Sequence, residues 1–278
     1  MTITNKTLKS GDTIGILGGG QLGRMLSVAA SRLGLKTIVL EPNIDCPAAQ
    51  TCNRHIVAEY DEPSALEELV KSCDVITYEF ENIPSSSVHY LEEHIALLPN
   101  STALEKSQDR LIEKEFLNNL GISTAPFFVI DTLSDLEQVV ASDAFQKCAN
   151  GILKTRRMGY DGKGQSRISA SATSEELNTA WQETGEVPCV LEGFVDFECE
   201  ISIIIARAID GDTACFEPAQ NVHKDGILHT STVPSNASNN TKQDAKELAT
   251  KIANALNYVG VMGVEFFVLK DGSLVVNE

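Results

Sequence analysis

The chain has 278 residues, about two domains' worth, and 42% of them are hydrophobic, so a sizeable core can be buried. It holds no apolar run of the roughly 18 residues that a membrane-spanning helix needs. Its net charge of -17 repels polyanions and argues against a nucleic-acid partner.

The first residues, MTITNKTLKSGD, are polar and lack the apolar stretch of a signal peptide, so a cytoplasmic location is expected. Residues 13–17 form a short apolar run that reads as a strand, and Gly18, Gly19 and Gly20 make a tight turn. Leu22, Met25, Leu26, Ala29 and Leu33 then recur at helical spacing, with Gly34 in place to close the helix. Residues 37–40 read as a second strand, Pro63 opens a helix that runs to about Ser72, and residues 75–78 read as a third strand. This alternation predicts a parallel α/β sheet.

Beyond residue 100 the pattern changes. Residues 109–119 read as a charged helix and 127–130 as a strand. Ser134 with Glu137, and Thr173 with Glu176, have capping-box spacing at the start of two further helices. Between them, residues 151–155 and 165–168 read as a hairpin around a glycine-rich loop. Strands follow at 189–192, 200–206 and 213–217, then a polar loop at 235–241 and a helix over about 241–256. Residues 261–269 and 273–277 close the chain as a hairpin around Lys270-Asp271-Gly272. Grouped strands with flanking helices predict an α+β second domain.

Seven cysteines, none in a C-x-x-C pair, and five scattered histidines give no metal-ligand spacing. The cysteines read as small hydrophobes in a reducing compartment.

Two glycine motifs carry chemistry. GGGQLG satisfies G-x-G-x-x-G between a strand and a helix, and Glu41 ends the second strand where a dinucleotide fold places its ribose acid. The physics is more general, because a helix N-terminus offers free N–H groups to any anion. A dinucleotide, a phosphorylated substrate and a plain tight turn all remain open at this point. The second motif, RRMGYDGKGQ, is a cationic loop able to close over phosphates and exclude water. No GK[ST] follows, so it is not a Walker A loop. Lys154, Arg156, Arg157 and Lys163 supply a local basic cluster for a phosphate ligand, against the plainer reading of a solvated hairpin tip. Glu192-Gly193-Phe194-Val195 and Glu200 suit an adenine edge and ribose hydroxyls. Glu265 and Glu278 lie on neighbouring strands among apolar residues, where two unpaired carboxylates make sense as Mg²⁺ ligands. Two acids facing solvent is the alternative.

The segments GGGQLGRM, YEFEN, SQDRLIEK, KTRRMGYDGKGQ, LEGFVDFECEIS, NVHKDGIL and YVGVMGVEFF, in this order, resemble the N5-carboxyaminoimidazole ribonucleotide synthase family of the ATP-grasp superfamily. The resemblance implies a Rossmann-like pre-ATP-grasp domain over residues 1–105 and an ATP-grasp domain over 106–278, whose subdomain at about 125–195 carries the flexible loop. The implied reaction phosphorylates bicarbonate with ATP to carboxyphosphate, then carboxylates the amine of 5-aminoimidazole ribonucleotide in purine biosynthesis. The implied ATP contacts are Arg110, Lys154, the closing loop (Gly159, Tyr160, Asp161, Gly162, Lys163, Gly164 and Gln165), Glu192, Gly193, Phe194, Val195, Glu200, His223, Asn277 and Glu278. Glu265 and Glu278 would hold Mg²⁺. Gln21, Leu22 and Glu79 would face the ribonucleotide, and Asp161 would accept the amine proton with Tyr160 and Lys163 beside it. A homodimer is expected.

Family members continue past Asn-Glu into a segment like APR-x-HNSGH and a small C-terminal domain, so a chain ending at Glu278 is expected to be weakly active or inactive by itself. Three other readings stay open. One is a formate-dependent glycinamide ribonucleotide transformylase, against which Gln21 argues. The others are an NAD(P)-binding oxidoreductase and a non-catalytic nucleotide-binding module.

Overall fold

The computed structural model describes residues 7–159, 164–224 and 226–278. The chain divides into two compact units. One comprises residues 1–105, 208–212 and 256–260, and the other comprises 106–207, 213–255 and 261–278.

The first unit runs β1 (Thr13–Leu17), α1 (Gln21–Arg32), β2 (Lys36–Leu40), a 3-10 turn (Pro47–Gln50), β3 (Arg54–Ile56), α2 (Pro63–Ser72), β4 (Val75–Tyr78), α3 (Ser85–His94) and the start of α4 (Ser101–Gln108), whose last residues belong to the second unit. Its sheet has the order β3-β2-β1-β4 and every pair is parallel, as the strand-helix alternation predicts. Both faces are covered, so Leu17, Val39 and Leu40 are wholly buried. Leu17, Leu40, Leu69, Ile76 and Leu91 belong to one core, and Ile16, Val39, Cys46 and Ala48 to a smaller one.

Helix α1 departs from its sequence pattern. An apolar stripe ordinarily faces the core. Here Leu22 and Met25 are 57% and 58% exposed, and Gly23, Ser27 and Ala30 are the buried residues instead. Small side chains let the helix axis lie close to the sheet, and that contact outranks burial of the larger residues. Gly34, at φ +75°, does close the helix.

The second unit opens with α5 (Arg110–Asn119), β5 (Phe127–Ile130), α6 (Leu133–Val140), α7 (Asp143–Gln146), β6 (Asn150–Thr155), β7 (Gln165–Ser169), α8 (Ser174–Glu183) and β8 (Cys189–Gly193). The strands form an antiparallel sheet of order β5-β8-β6-β7. Leu136, Phe145, Leu153, Leu177 and Trp181 share its core. Then follow β9 (Phe197–Arg207), β10 (Thr213–Cys215), β11 (Ala219–Lys224), β12 (Ile227–Thr232), α9 (Asn239–Ala255), β13 (Gly260–Leu269) and β14 (Leu274–Val276). These strands order as β12-β11-β9-β13-β14, with β10 on β9. Residues 194–196 connect the two sheets of this unit.

The cap of α6 is not the expected Ser134–Glu137 box. Thr132 is the N-cap, accepting from Asp135 N–H at 3.2 Å, while Asp135 accepts from Thr132 N–H at 2.8 Å. A T-x-x-D box two residues earlier wins because the chain is still extended at Thr132. Thr132→Ala should therefore lower stability by about 1 kcal/mol, and Ser134→Ala by much less, in paired denaturant titrations. The box of Thr173 and Glu176 forms as expected. Helix α9 starts at Asn239, inside the segment that reads as a polar loop.

Candidate active site

The second unit gathers charge around the first turn of α5. Asp109 caps this helix, accepting from Leu111 N–H at 3.0 Å. The cap fixes Arg110 at the first helical position, and the α-helical period puts Lys114 one turn on along the same face. Arg110 Nη1 donates to Glu278 Oε2 at 3.0 Å and Nη2 to the Gly159 carbonyl at 3.4 Å. Burial opposes the Arg110 charge, but Glu278 and Glu192 more than restore it and raise its pKa.

Glu192, at the centre of the small sheet, is only 4% exposed. Its Oε2 accepts from Lys154 Nζ at 3.0 Å, and its Oε1 lies 3.2 Å from Lys114 Nζ. Burial pushes its carboxyl up, but Lys154, Lys114 and Arg110 overrule that and hold it below the usual range. Glu113 goes the other way. Burial and the charges of Glu278 and Glu192 outweigh Lys114 and Arg110 and push it up to about 8.

The hairpin of β13 and β14 brings the two carboxylates of the expected metal pair close. Glu265 N–H donates to the Glu278 carbonyl, and Asn277 N–H to the Glu265 carbonyl, both at 2.8 Å. Burial, then the Glu278 charge, raises the Glu265 pKa, while His223 and the Asn277 side chain lower it. A carboxylate whose proton affinity is raised by the charge of its neighbour forms with it a site where a cation would relieve the repulsion. Among the described residues no group of three or more acids, histidines or cysteines could hold a metal, so phosphate oxygens would have to complete such a site. On β9 and β11, the Glu200 carboxylate and the His223 ring are hydrogen-bonded to each other.

Three members of the predicted basic cluster are paired with other side chains of the chain. Lys154 is paired with Glu192, Arg156 Nη2 binds Asp131 at 2.8 Å, and Arg157 binds the Gln108 side-chain carbonyl. Lys163 lies outside the described residues, as do Tyr160, Asp161 and Gly162. The ends of their loop are described. Gly164, at φ +68°, gives its carbonyl to Thr155 N–H at 2.9 Å, and Gln165 sits opposite Lys154 in the ladder. Gly193 N–H donates to Pro126 O and Phe194 N–H to Asn150 O, so neither donor is free to read an adenine edge. Phe194 itself is 54% exposed, and Val195 follows it.

In the first unit the glycine turn already holds an anion. Glu79, just past β4, accepts from both Gly20 N–H and Gly23 N–H at the start of α1. Glu41 accepts from Gly19 N–H at 2.9 Å and from the Tyr60 hydroxyl at 2.6 Å. Burial and Glu41 together push the Tyr60 phenol up. The helix N-terminus and the candidate ribose acid of a dinucleotide fold are thus both occupied by the chain itself, which removes the basis of the NAD(P) reading. Gln21 and Leu22 are exposed at the same turn. The seven cysteines are all free thiols.

Sequence reasoning passed over Glu113, Lys114, Tyr60 and Gln108. The i,i+4 spacing of Arg110 and Lys114 was the available signal for Lys114. Nothing local marks the others.

Comparison with known proteins gives the same picture along the whole chain. The ribonucleotide synthetase pre-ATP-grasp domain family matches residues 12–108, and the ATP-grasp domain family matches 115–278. N5-carboxyaminoimidazole ribonucleotide synthase of Brucella melitensis is 54% identical over 272 residues, which cover 98% of this chain and 74% of that protein. The protein of the same name from Bacillus subtilis is 38% identical over 276 residues, covering 99% of this chain and 71% of that one. Among solved structures, an ADP complex of N5-carboxyaminoimidazole ribonucleotide synthetase superposes with a TM-score of 0.91 at 36% identity, covering 99% of this chain and 71% of that one. The Aspergillus clavatus synthase in complex with ADP and 5-aminoimidazole ribonucleotide gives 0.82 at 28% identity, covering 97% and 69%.

Proposed function

The chain belongs to the N5-carboxyaminoimidazole ribonucleotide synthase family of ATP-grasp ligases, and we propose that its second unit binds ATP and its first presents 5-aminoimidazole ribonucleotide for carboxylation. The supporting observation is the convergence of Arg110, Lys154, Glu192 and Glu278 on one charged cluster within the segment that matches the ATP-grasp family. Bicarbonate oxygen attacks the γ-phosphorus, ADP leaves, and the ribonucleotide amine then takes the carboxyl carbon as phosphate departs. Such transfer needs positioning and charge neutralisation more than a side-chain nucleophile.

The residue roles follow. Arg110 and Lys154 neutralise phosphate charge. The connection carrying Phe194 and Val195 receives adenine, with Gly193 and Glu192 behind it, and the Glu200–His223 pair receives the ribose. Glu265 and Glu278, with Asn277 beside them, would hold Mg²⁺, which when bound neutralises the β- and γ-phosphate oxygens. The loop from Gly159 to Gln165, with Tyr160, Asp161, Gly162, Lys163 and Gly164, keeps water from the labile carboxyphosphate, and Asp161 takes the amine proton. Gln21 and Leu22 present the ribonucleotide, with Glu79 fixing the turn that carries them. The reading includes a homodimer, tested by sedimentation, and a cytoplasmic location. No helix among the described residues is long and apolar enough to cross a membrane.

The test is phosphate release from ATP, measured with bicarbonate or formate and with or without 5-aminoimidazole ribonucleotide. Release that needs bicarbonate and rises with the ribonucleotide is expected. Release driven by formate would place the chain with the transformylases, and ATP binding without any release would favour a non-catalytic module.

A further inference from the structure

Lys114 is 1% exposed, in the middle of α5, and is among the largest wholly buried side chains. Taking an ammonium out of water costs several kcal/mol unless it is paired, and replacing a buried ion pair by apolar residues is often neutral or stabilising. A leucine or methionine would fill this helix position without that cost. Stability alone therefore gives no reason for a lysine here.

Its surroundings do. Glu192 is shared between two ammonium groups, Lys114 at 3.2 Å from Oε1 and Lys154 at 3.0 Å from Oε2. Lys154 to Glu192 is a hydrogen bond, whereas Lys114 Nζ and Glu192 Oε1 meet no hydrogen-bond geometry, with each other or with any other group among the described residues. What Lys114 supplies to Glu192 is therefore charge more than direction. Lys154 and Glu192 alone would be a neutral pair, of little use to a triphosphate. With Lys114 the three side chains carry a net positive charge, inside a chain whose own total is -17.

We propose that Lys114 is a positioning residue for nucleotide binding: it compensates Glu192 from within the core, so that Glu192 can aim Lys154 while Lys154 keeps an effective positive charge for phosphate. The proposal rests on the ATP reading of this site and adds to it a residue that never touches the nucleotide. Because the effect passes through charge, it acts on the phosphates and not on the nucleoside.

The experiment titrates the full chain with ATP and with adenosine, by calorimetry, and compares the ratio of the two affinities among variants. Lys114→Met should lower that ratio by about tenfold or more, the loss of one nearby charge in a partly desolvated site. Lys114→Arg keeps the charge and should hold the ratio close to that of the parent chain. Adding Glu192→Gln to Lys114→Met removes the uncompensated carboxylate and should move the ratio back towards the parent value. A merely structural role predicts equal losses for ATP and adenosine, with a lowered melting temperature and no recovery in the double variant. An unmoved ratio in Lys114→Met overturns the proposal. Should Lys114→Met not fold, the double variant carries the test, since it leaves no uncompensated carboxylate in the core, and a ratio reduced tenfold there overturns the proposal too. Failure of the unmodified chain to bind ATP would instead overturn the nucleotide reading itself.

Discussion

Glu265→Gln is expected to lower ATP-dependent phosphate release by a factor of about 100 or more, the scale of losing an interaction that stabilises transferring phosphate. The fold should survive, and the reason lies in the proton affinity of the site. Burial and the neighbouring Glu278 charge raise the Glu265 pKa above its unfolded value. The folded state therefore holds this proton more tightly than the unfolded chain does. Stability falls as pH rises from the ordinary carboxylate range through the raised value, and above that window the cost is constant. Glutamine carries no charge and removes the cost. At pH 7 the variant should melt no lower than the parent chain, and higher if Asn277 keeps its contact with the new side chain. Glu113, pushed up to about 8 on α5, imposes the same sign of pH dependence over a window reaching that value, and the variant should retain it. A variant that loses turnover and also melts many degrees lower would show Glu265 to be a structural residue. Undiminished turnover would remove it from the metal site.

The pairing of sequence with structure is uneven in an instructive way. Strands buried on both faces, such as β1 and β2, announce themselves as continuous apolar runs, and glycine or proline marks the ends of α1 and α2. Strand β12 is exposed along its whole length. Its sequence, ILHTST, has no alternation for a reader to use, and it exists because β11 offers it a ladder. Helix α1 misleads for the opposite reason, since its large residues face outward and its small ones face the sheet. In the site, the motif glycines and acids could be picked out singly, but their partners could not. Glu79 meets the start of α1 across 59 residues of sequence, and Lys154 meets Glu192 across 38. The pairing of cations with internal acids changes what a basic loop means. Arg156 and Arg157 look like phosphate ligands in the sequence and are tethers in the structure. Lys114 looks like an ordinary helix-surface lysine and is buried.

Gly18→Ala should be the most damaging small substitution in the first unit. Gly18 sits at φ +104°, a backbone conformation that costs an L-residue roughly 1–2 kcal/mol. An added Cβ would also collide with Glu79 Cγ and come within 2.8 Å of its Oε1 and 3.0 Å of Phe80 Cδ1. The Glu79 carboxylate cannot step aside freely, because both its oxygens are tied to Gly20 N–H and Gly23 N–H. Losing hydrogen bonds to a charged group costs about 1.5–3 kcal/mol each, so the combined penalty is a large part of the ~5–15 kcal/mol that a domain has in total. Chemical denaturation should show the first unit unfolding several kcal/mol more easily, or not folding at all. The mechanism is separable from backbone strain by a cycle. In a Glu79→Ala background the collision with the carboxylate disappears, and Gly18→Ala should then cost only the backbone share and the close approach to Phe80. The two substitutions are thus expected to add to less than their sum. Strict additivity would mean that Glu79 does not set the shape of the turn. Glu79 would then be free to meet a substrate in place of the α1 N-terminus, and the division of labour proposed among Gln21, Leu22 and Glu79 would have to be redrawn with the acid as a direct ligand.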